Sequence, residues 1–324
     1  MSATNQSPTI GVFDSGFGGL TVLRALIDRL PQARYAFLGD TARLPYGSKS
    51  RRTIARYAVE SAQFLVREQG AEFLVIACNT ASALALDAIQ QAVPVPVLGV
   101  IEPGAAAARN ASRTGDVLVI ATEATVHSHA YAAAAQARGL RALEKACPLL
   151  VPLVEEGWTD HPVTEEVIEV YLNELRAEAA ANNMNPDALV LGCTHYPLLR
   201  PLFEAAVRPG AKVIDSAEST ASAAVDQFNI GRVPPSLSND VAPSFSKGVA
   251  PSLSRGVAPS GSTGVAPSFS ASVSADAEKV GTTSNPGSTE IHCFATDSVE
   301  KFERLGSRFL GRPVGHVELI DLGG

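Results

Sequence analysis

The sequence predicts an α/β fold in which two similar parallel-sheet domains face each other across a cleft. Short apolar runs alternate with amphipathic or alanine-rich segments, the pattern of parallel strands connected by helices. The motif order is also roughly doubled: apolar runs ending at Asp14-Ser15 and Cys78 are echoed by runs ending at Thr122 and Cys193. Ligands bind beyond the carboxyl ends of such strands, so we expect Cys78 and Cys193 on opposite walls of the cleft.

Hydrophobic periodicity, with glycines and prolines between the apolar runs, predicts the individual elements. Before residue 101 we predict strands over 9–13, 35–38, 73–77 and 97–100, and helices over 20–30, 50–69 and 81–92. The second half gives strands over 117–121, 189–191 and 213–214, with helices over 105–111, up to about 139, and over 164–181. Near the C-terminus we predict a strand, a helix and a strand over 290–294, 299–305 and 315–320.

A repetitive segment interrupts this pattern after Arg232. The octads VAPSFSKG, VAPSLSRG, VAPSGSTG and VAPSFSAS begin at 241, 249, 257 and 265. Segments so rich in Pro, Ser and Gly bury too little apolar surface to offset their chain entropy, so we predict a disordered insertion over about 234–288. We therefore place a discontinuous first domain at 1–98 plus 211–324 and a second domain at 99–210.

Composition excludes several classes of protein. The 324 residues carry a net charge of −7, which disfavours nucleic-acid binding through a basic surface. Neither a membrane-spanning apolar run nor a signal peptide is recognisable, so we expect a cytoplasmic protein that is not bound to a membrane. Four cysteines without CxxC spacing suggest reduced thiols and no structural zinc site.

Polar side chains follow the strand ends and form a candidate ligand site. Asn79 and Thr80 follow Cys78, and Thr194 and His195 follow Cys193. Ser15 is the second residue of the glycine-rich turn DSGFGG, whose exposed N–H groups suit an anion: a phosphate, a dinucleotide or a substrate carboxylate. A tight strand-to-helix turn would explain the glycines equally well. Of the remaining cysteines, Cys147 and Cys293 are expected to be ordinary core residues.

Taken together, six motifs resemble those of the glutamate racemases, within the aspartate/glutamate racemase family. They are GVFDSGFGGLTVL, LGDTARLPYGSKS, VIACNTASA, GVIEPG, CPLLVPLVEEG and LVLGCTHYPLL. The similarity runs from about Ile10 to Asp215 and resumes near Ile291. Two departures are the serine/proline repeat and the stretch Phe294–Asp297, FATD, where family members more often have threonine-glycine-aspartate.

The resemblance implies an isomerase that interconverts L- and D-glutamate without a cofactor or metal and supplies D-glutamate for peptidoglycan. Racemisation needs two opposed acid/base groups, and tuned thiols suit that task. By resemblance, Cys78 deprotonates D-glutamate and Cys193 deprotonates L-glutamate. A homodimer is also implied.

The resemblance further assigns partners and substrate contacts. Asp14 is implied as the partner of Cys78, and His195 and Glu155 assist Cys193, with the adjacent Glu156 left open as the alternative to Glu155. The expected substrate contacts are Asp14, Ser15, Tyr46, Gly47, Asn79, Thr80, Thr194 and His195, with Thr122 and Thr125 in second rank.

Three alternatives stay open at this point. One is a racemase of aspartate or another small acid, because that wider group shares the two-cysteine cleft. Another is a non-catalytic binding protein of two α/β domains, which would need no cysteine pair. A remote third is a zinc enzyme, since Cys193 and His195 are two residues apart.

Overall fold

The computed structural model describes residues 7–207, 210–228 and 289–323. They contain two parallel sheets, as predicted from the sequence. The first sheet has the order β10-β9-β2-β1-β3-β4. Its strands are β1 Thr9–Asp14, β2 Arg34–Gly39, β3 Phe73–Ile76, β4 Val97–Gly99, β9 Ile291–Ala295 and β10 Val317–Leu319. The second sheet has the order β6-β5-β7-β8, with β5 Asp116–Ala121, β6 Arg141–Ala146, β7 Ala188–Gly192 and β8 Lys212–Asp215.

Helices connect these strands and cover the sheets. They are α1 Leu20–Arg29, α2 Arg51–Arg67, α3 Asn79–Leu84, α4 Leu86–Ala92, α5 Ile101–Ala111, α6 Glu123–Ser128, α7 Ala130–Gln136, α8 Leu150–Glu155, α9 Pro162–Ala181, α10 Arg200–Ala206, α11 Ser216–Phe228 and α12 Val299–Leu310. The central strands β1, β5 and β7 are fully buried, as their mostly apolar runs predict. No helix within the described ranges is both long and apolar enough to cross a membrane.

Several local features differ from the sequence-based expectation, among them helices α8, α10 and α11, which the sequence analysis does not predict. The two alanine-rich helices are each split in two, at Ala85 and at His129, which has a left-handed φ of 54°. Helix α5 begins at Ile101 rather than at 105, since Pro103 is compatible with a first helical turn. Strand β6, RALEKA, was not predicted, because charged residues interrupt its apolar character at the edge of the sheet.

The predicted domain boundaries stay a prediction, although sheet membership bears on one of them. Strand β8 lies just after the boundary predicted at 211, and it pairs with β7 in the second sheet. If the domains were divided by the sheet to which each strand belongs, the second domain would end after Asp215. The predicted disordered insertion lies outside the described residues.

Candidate active site

Both predicted cysteines lie where the strand order of a sheet reverses. In the first sheet β1 lies between β2 and β3, so the chain crosses to the other side of β1 when it enters β3, and Cys78 follows β3. In the second sheet β5 lies between β6 and β7, and Cys193 follows β7. Such switch points are the places where open α/β sheets bind ligands. Asp14 ends β1 and Thr122 follows β5, so the partner strands also contribute polar groups.

A cavity of about 450 Å³ opens between these strand ends, a volume typical of small-molecule sites. From the first sheet and its loops, the predicted residues that line it are Ser15, Tyr46, Gly47, Cys78, Asn79 and Thr80. From the second, they are Thr122, Glu155, Cys193, Thr194 and His195. Two predicted residues, Asp14 and Thr125, are buried behind this lining. Motifs distant in sequence therefore converge on one site.

Cys78 is held as a thiol beside hydrogen-bonding groups. Its Sγ lies 3.4 Å from Ser15 Oγ and accepts the backbone N–H of Ala81 at 3.4 Å. Burial, and then the negative charge of Asp14, raise the pKa of Cys78 to about 11, although Ser15 and Ala81 partly offset this rise. With this pKa the Cys78 thiol keeps its proton at neutral pH.

Cys193 begins a row of polar side chains that reaches the edge of the cavity. Burial raises its pKa well above that of a free thiol. Its Sγ lies 4.0 Å from His195 Nδ1, and His195 Nε2 lies 3.3 Å from Glu155 Oε1. Burial favours a neutral Glu155, but the hydrogen bonds and positive charges of His195 and Lys301 lower its pKa overall.

Lys301 completes this row and was not predicted as a site residue. Its Nζ lies 3.1 Å from Glu155 Oε2 and 5.6 Å from the centre of the Phe17 ring. The lysine extends from α12, whose buried Phe302 and Phe309 pack against Phe17. The periodicity of α12 predicts which face is buried, but nothing in its sequence distinguishes Lys301 from a solvated lysine.

Asp14 influences the site electrostatically from behind the lining. Its side chain is buried; Oδ2 accepts the N–H of Gly16 at 2.9 Å, and Oδ1 has no hydrogen-bond partner in the described protein. Burial raises the pKa of Asp14, and the charge of His195 opposes that rise. Its negative charge in turn raises the pKa of both Cys78 and Cys193.

The glycine-rich turn brings the two walls into contact. A Cβ at position 18 would overlap Thr194 Oγ1 and lie 2.7 Å from His195 Nδ1. Thr21 donates to the Thr194 carbonyl at 3.3 Å, also across the cleft. This close approach of the walls therefore requires glycine at position 18. A bound phosphate is not needed to explain the residue.

Two further contacts join the walls. Thr80 Oγ1 lies 2.9 Å from Thr122 Oγ1 and 3.3 Å from Thr125 Oγ1, so these hydroxyls form a cluster in which Thr80 and Thr125 are buried and Thr122 is half-buried. Tyr46 also lines the cavity, and its hydroxyl donates to Asp40 Oδ2 at 2.6 Å. The phenolic oxygen is thus engaged behind the wall.

Metal ligands are not assembled here. Within the described ranges, no group of three His, Cys, Asp or Glu side chains lies close enough together to hold a metal ion. All four cysteines are free thiols. Cys293 lies in the core, as predicted, whereas the buried Cys147 also borders the cavity.

The chain belongs to the Asp/Glu/Hydantoin racemase family, whose profile matches residues 19–224. The resemblance inferred from the motifs is thereby confirmed, as is the prediction of an isomerase. A glutamate racemase from Koribacter versatilis (strain Ellin345) is 50% identical over 323 residues, which cover 99% of this chain and all of the relative.

Solved structures show the same fold. Glutamate racemase RacE1 from Bacillus anthracis superposes with a TM-score of 0.74 at 30% identity, covering 98% of this chain and 99% of that chain. The glutamate racemase from Francisella tularensis subsp. tularensis SCHU S4, solved in complex with D-glutamate, has a TM-score of 0.72 at 29% identity and covers 98% of each chain.

Proposed function

We propose that this chain is a glutamate racemase that interconverts L- and D-glutamate by proton transfer to and from the thiols of Cys78 and Cys193, without a cofactor. The observation that carries the proposal is the placement of one cysteine at the switch point of each sheet, on a shared cavity. Racemisation removes the α-proton from one face of the substrate and returns a proton to the other. Two opposed groups can do this without moving across the molecule.

In this proposal the thiolate of Cys78 removes the α-proton of D-glutamate while the thiol of Cys193 donates a proton to the opposite face, and for L-glutamate the two cysteines exchange these roles. In the empty site burial keeps both thiols protonated. A bound amino acid brings an ammonium group, and a nearby opposite charge favours the thiolate. In each direction only one thiol is deprotonated: we expect Asp14 to take the proton of Cys78, or His195 with Glu155 to take that of Cys193, while the other cysteine stays protonated as the acid.

Neutral donors bind the substrate carboxylates in this proposal. Among the described residues that line the cavity, His195 and Lys301 are the basic side chains, and the ion pair with Glu155 already engages Lys301. The amide of Asn79 and the hydroxyls of Ser15, Thr80 and Thr194 supply uncharged donors instead. Such donors leave the carboxylate charge in place while they orient it.

Glutamate is preferred over aspartate because full-length relatives are named glutamate racemase and one related structure contains D-glutamate. A panel of L-amino acids, with the chirality of each product measured, separates the two substrates. Faster turnover of aspartate than of glutamate would overturn the preference. The non-catalytic alternative loses its support, since a binding cleft needs no thiol pair.

We further propose a cytoplasmic homodimer that supplies D-glutamate for peptidoglycan. Light scattering on the full chain tests the dimer, and a monomer at micromolar concentration would contradict it. Complementation of a bacterium that requires D-glutamate tests the cellular role.

The central experiment is racemisation in deuterium oxide. Wild-type protein should convert L-glutamate to D-glutamate that carries deuterium at the α-carbon, with little deuterium in the substrate recovered early. Cys78→Ala and Cys193→Ala should each abolish racemisation, while Cys193→Ala retains slow exchange of the α-proton of D-glutamate. Wild-type turnover in either variant would refute the two-thiol mechanism. Cys293→Ala, in the core, is the matched control and should remain active.

A further inference from the structure

A buried tyrosine connects the two walls of the site behind the cavity. Tyr131, in α7, is 1% exposed, and its hydroxyl donates to Asn79 Oδ1 at 2.7 Å. Burial, followed by the charge of Cys193, raises the pKa of Tyr131 far above that of a free phenol. The phenol therefore stays protonated, and the bond has a fixed direction, from Tyr131 to the amide oxygen.

The direction of the hydrogen bond from Tyr131 determines which end of the Asn79 amide is available to a ligand. Asn79 follows Cys78 and lines the cavity, yet its side chain is buried. With Oδ1 accepting from Tyr131, the amide group Nδ2 must be the free end, and it has no hydrogen-bond partner in the described protein. A buried donor for which the described protein supplies no acceptor is unfavourable, and because Asn79 borders the cavity, a bound carboxylate can supply that acceptor.

The tyrosine ring is held in place by two glycines. A Cβ at Gly104 would lie 3.1 Å from Tyr131 Cε1 and 3.2 Å from its hydroxyl. A Cβ at Gly192, the residue before Cys193, would lie 3.0 Å from Cε2. The ring thus occupies space that side chains at positions 104 and 192 would fill. It connects Gly192, the residue before Cys193, to Asn79, the residue after Cys78.

We propose that Tyr131 is a positioning residue that fixes the Asn79 amide with its NH₂ end available to a substrate carboxylate. This inference rests on the proposed function. Without the phenol, the amide is free to turn, and in the flipped orientation its oxygen faces the carboxylate, where two acceptors repel. Tyr131 acts on binding of the ligand through Asn79 and touches neither thiol in the role proposed.

The test is Tyr131→Phe, which keeps the ring and removes the hydroxyl. Losing a directed hydrogen bond to a carboxylate should raise KM for both enantiomers, and the calorimetric Kd for D-glutamate, by roughly 10- to 100-fold. Because the contact is made in ground state and transition state alike, kcat should change by less than about threefold. An unchanged KM and Kd would overturn the inference.

A double-mutant cycle asks whether the effect passes through Asn79. In an Asn79→Ala background, adding Tyr131→Phe should weaken binding by less than about twofold, because the group that it positions is gone. Multiplicative effects of the two substitutions would refute the positioning role. If Tyr131→Phe does not fold, Gly104→Ala, whose added Cβ would shift the hydroxyl by a few tenths of an ångström, should raise KM in the same direction but by less, and an unchanged KM would overturn the inference.

Tyr35→Phe is the matched control. Tyr35 is also 1% exposed and donates its hydroxyl to a backbone carbonyl, that of Leu30, at 2.9 Å. It should lose stability like Tyr131→Phe but keep the wild-type KM, and an equal rise in KM would overturn the inference. Calorimetry also separates the proposals: a wild type that binds D-glutamate but does not racemise it refutes the proposed function alone. A wild type that binds no glutamate refutes both.

Discussion

His195 Nε2 lies 3.3 Å from Glu155 Oε1 while the opposite ring nitrogen faces the sulfur of Cys193. The imidazole therefore stands between a buried thiol and a carboxylate at the rim of the cavity. Lys301 holds the other oxygen of that carboxylate. Since Lys301 belongs to α12, the segment that follows the insertion completes a row of polar groups begun by Cys193.

Removing Lys301 should shift the titration of this row. Lys301 contributes to the lowered pKa of Glu155, after the hydrogen bond and charge of His195. A carboxyl group with a lowered pKa stabilises the fold above its unfolded pKa of about 4.3, and this stability is lost as the pH falls through the folded value. Lys301→Met should therefore cost about 0.2–1 kcal/mol at neutral pH and nothing near pH 2, because Lys301 is partly exposed.

Thermal unfolding across this pH range, with kcat measured in parallel, checks the prediction. We expect kcat to fall by no more than about fivefold. Arg176→Met is the control. Arg176 has the same 43% exposure as Lys301 and pairs with Glu169, and neither Arg176 nor Glu169 lines the cavity. An equal loss of kcat in Lys301→Met and Arg176→Met would show that Lys301 does not affect turnover through its ion pair with Glu155.

Asp14→Asn should stabilise the fold and impair turnover. The pKa of Asp14 is raised by burial, so the folded state binds this proton more tightly than the unfolded chain. Stability is therefore lost as the pH rises through the interval between the two values, and an uncharged amide avoids that loss. We expect a melting temperature about 2 °C higher per kcal/mol gained at neutral pH, with the difference vanishing near pH 3.

Asp116→Asn provides a control of opposite sign. Asp116 is also buried, but two hydrogen bonds from Arg141, at 2.7 and 2.8 Å, lower its pKa. Its replacement should reduce the melting temperature at neutral pH. A fall for both variants would mean that the charge of Asp14 is compensated in the fold.

Alkylation of Cys78 by iodoacetamide should depend strongly on pH. With its pKa raised to about 11, the thiolate fraction in the empty enzyme should grow about tenfold for each pH unit between about pH 6 and pH 9. Peptide mass spectrometry gives the initial rate, and the core thiol of Cys293 serves as the unreactive reference. A rate that levels off near pH 7 would show that the thiolate already exists without substrate.

Gly18→Ala should disrupt the contact between the walls. The new methyl group would overlap Thr194 Oγ1 and crowd His195. Overpacking of this kind costs about 1–3 kcal/mol, and the displaced His195 should lower kcat by more than tenfold. Chemical denaturation and steady-state kinetics measure the two effects. Wild-type kcat with a stable fold would show that the walls can separate without loss of function.

The sequence carried most of the architecture because buried parallel strands are apolar along their whole length. Strand β6 was missed because its charged residues, which an edge position allows, interrupt the apolar run that predicts a strand. Cys78 and Cys193 could be paired because each follows such a strand. The roles of Lys301 and Tyr131 could not be predicted from the sequence. Lys301 lies on an amphipathic helix and acquires its role through its contact with Glu155. Tyr131 lies in an alanine-rich helix and acquires its role through its contact with Asn79.

The burial that keeps both sulfurs protonated has a consequence for inhibitor chemistry. Electrophilic compounds and peroxides react with thiolates, so the vacant enzyme presents them with a poor target. In the mechanism proposed here, sensitivity arises when an amino acid occupies the cleft. A covalent inhibitor would therefore need its own ammonium group to create the nucleophile that it then captures, and screening against the empty enzyme would overlook such a compound.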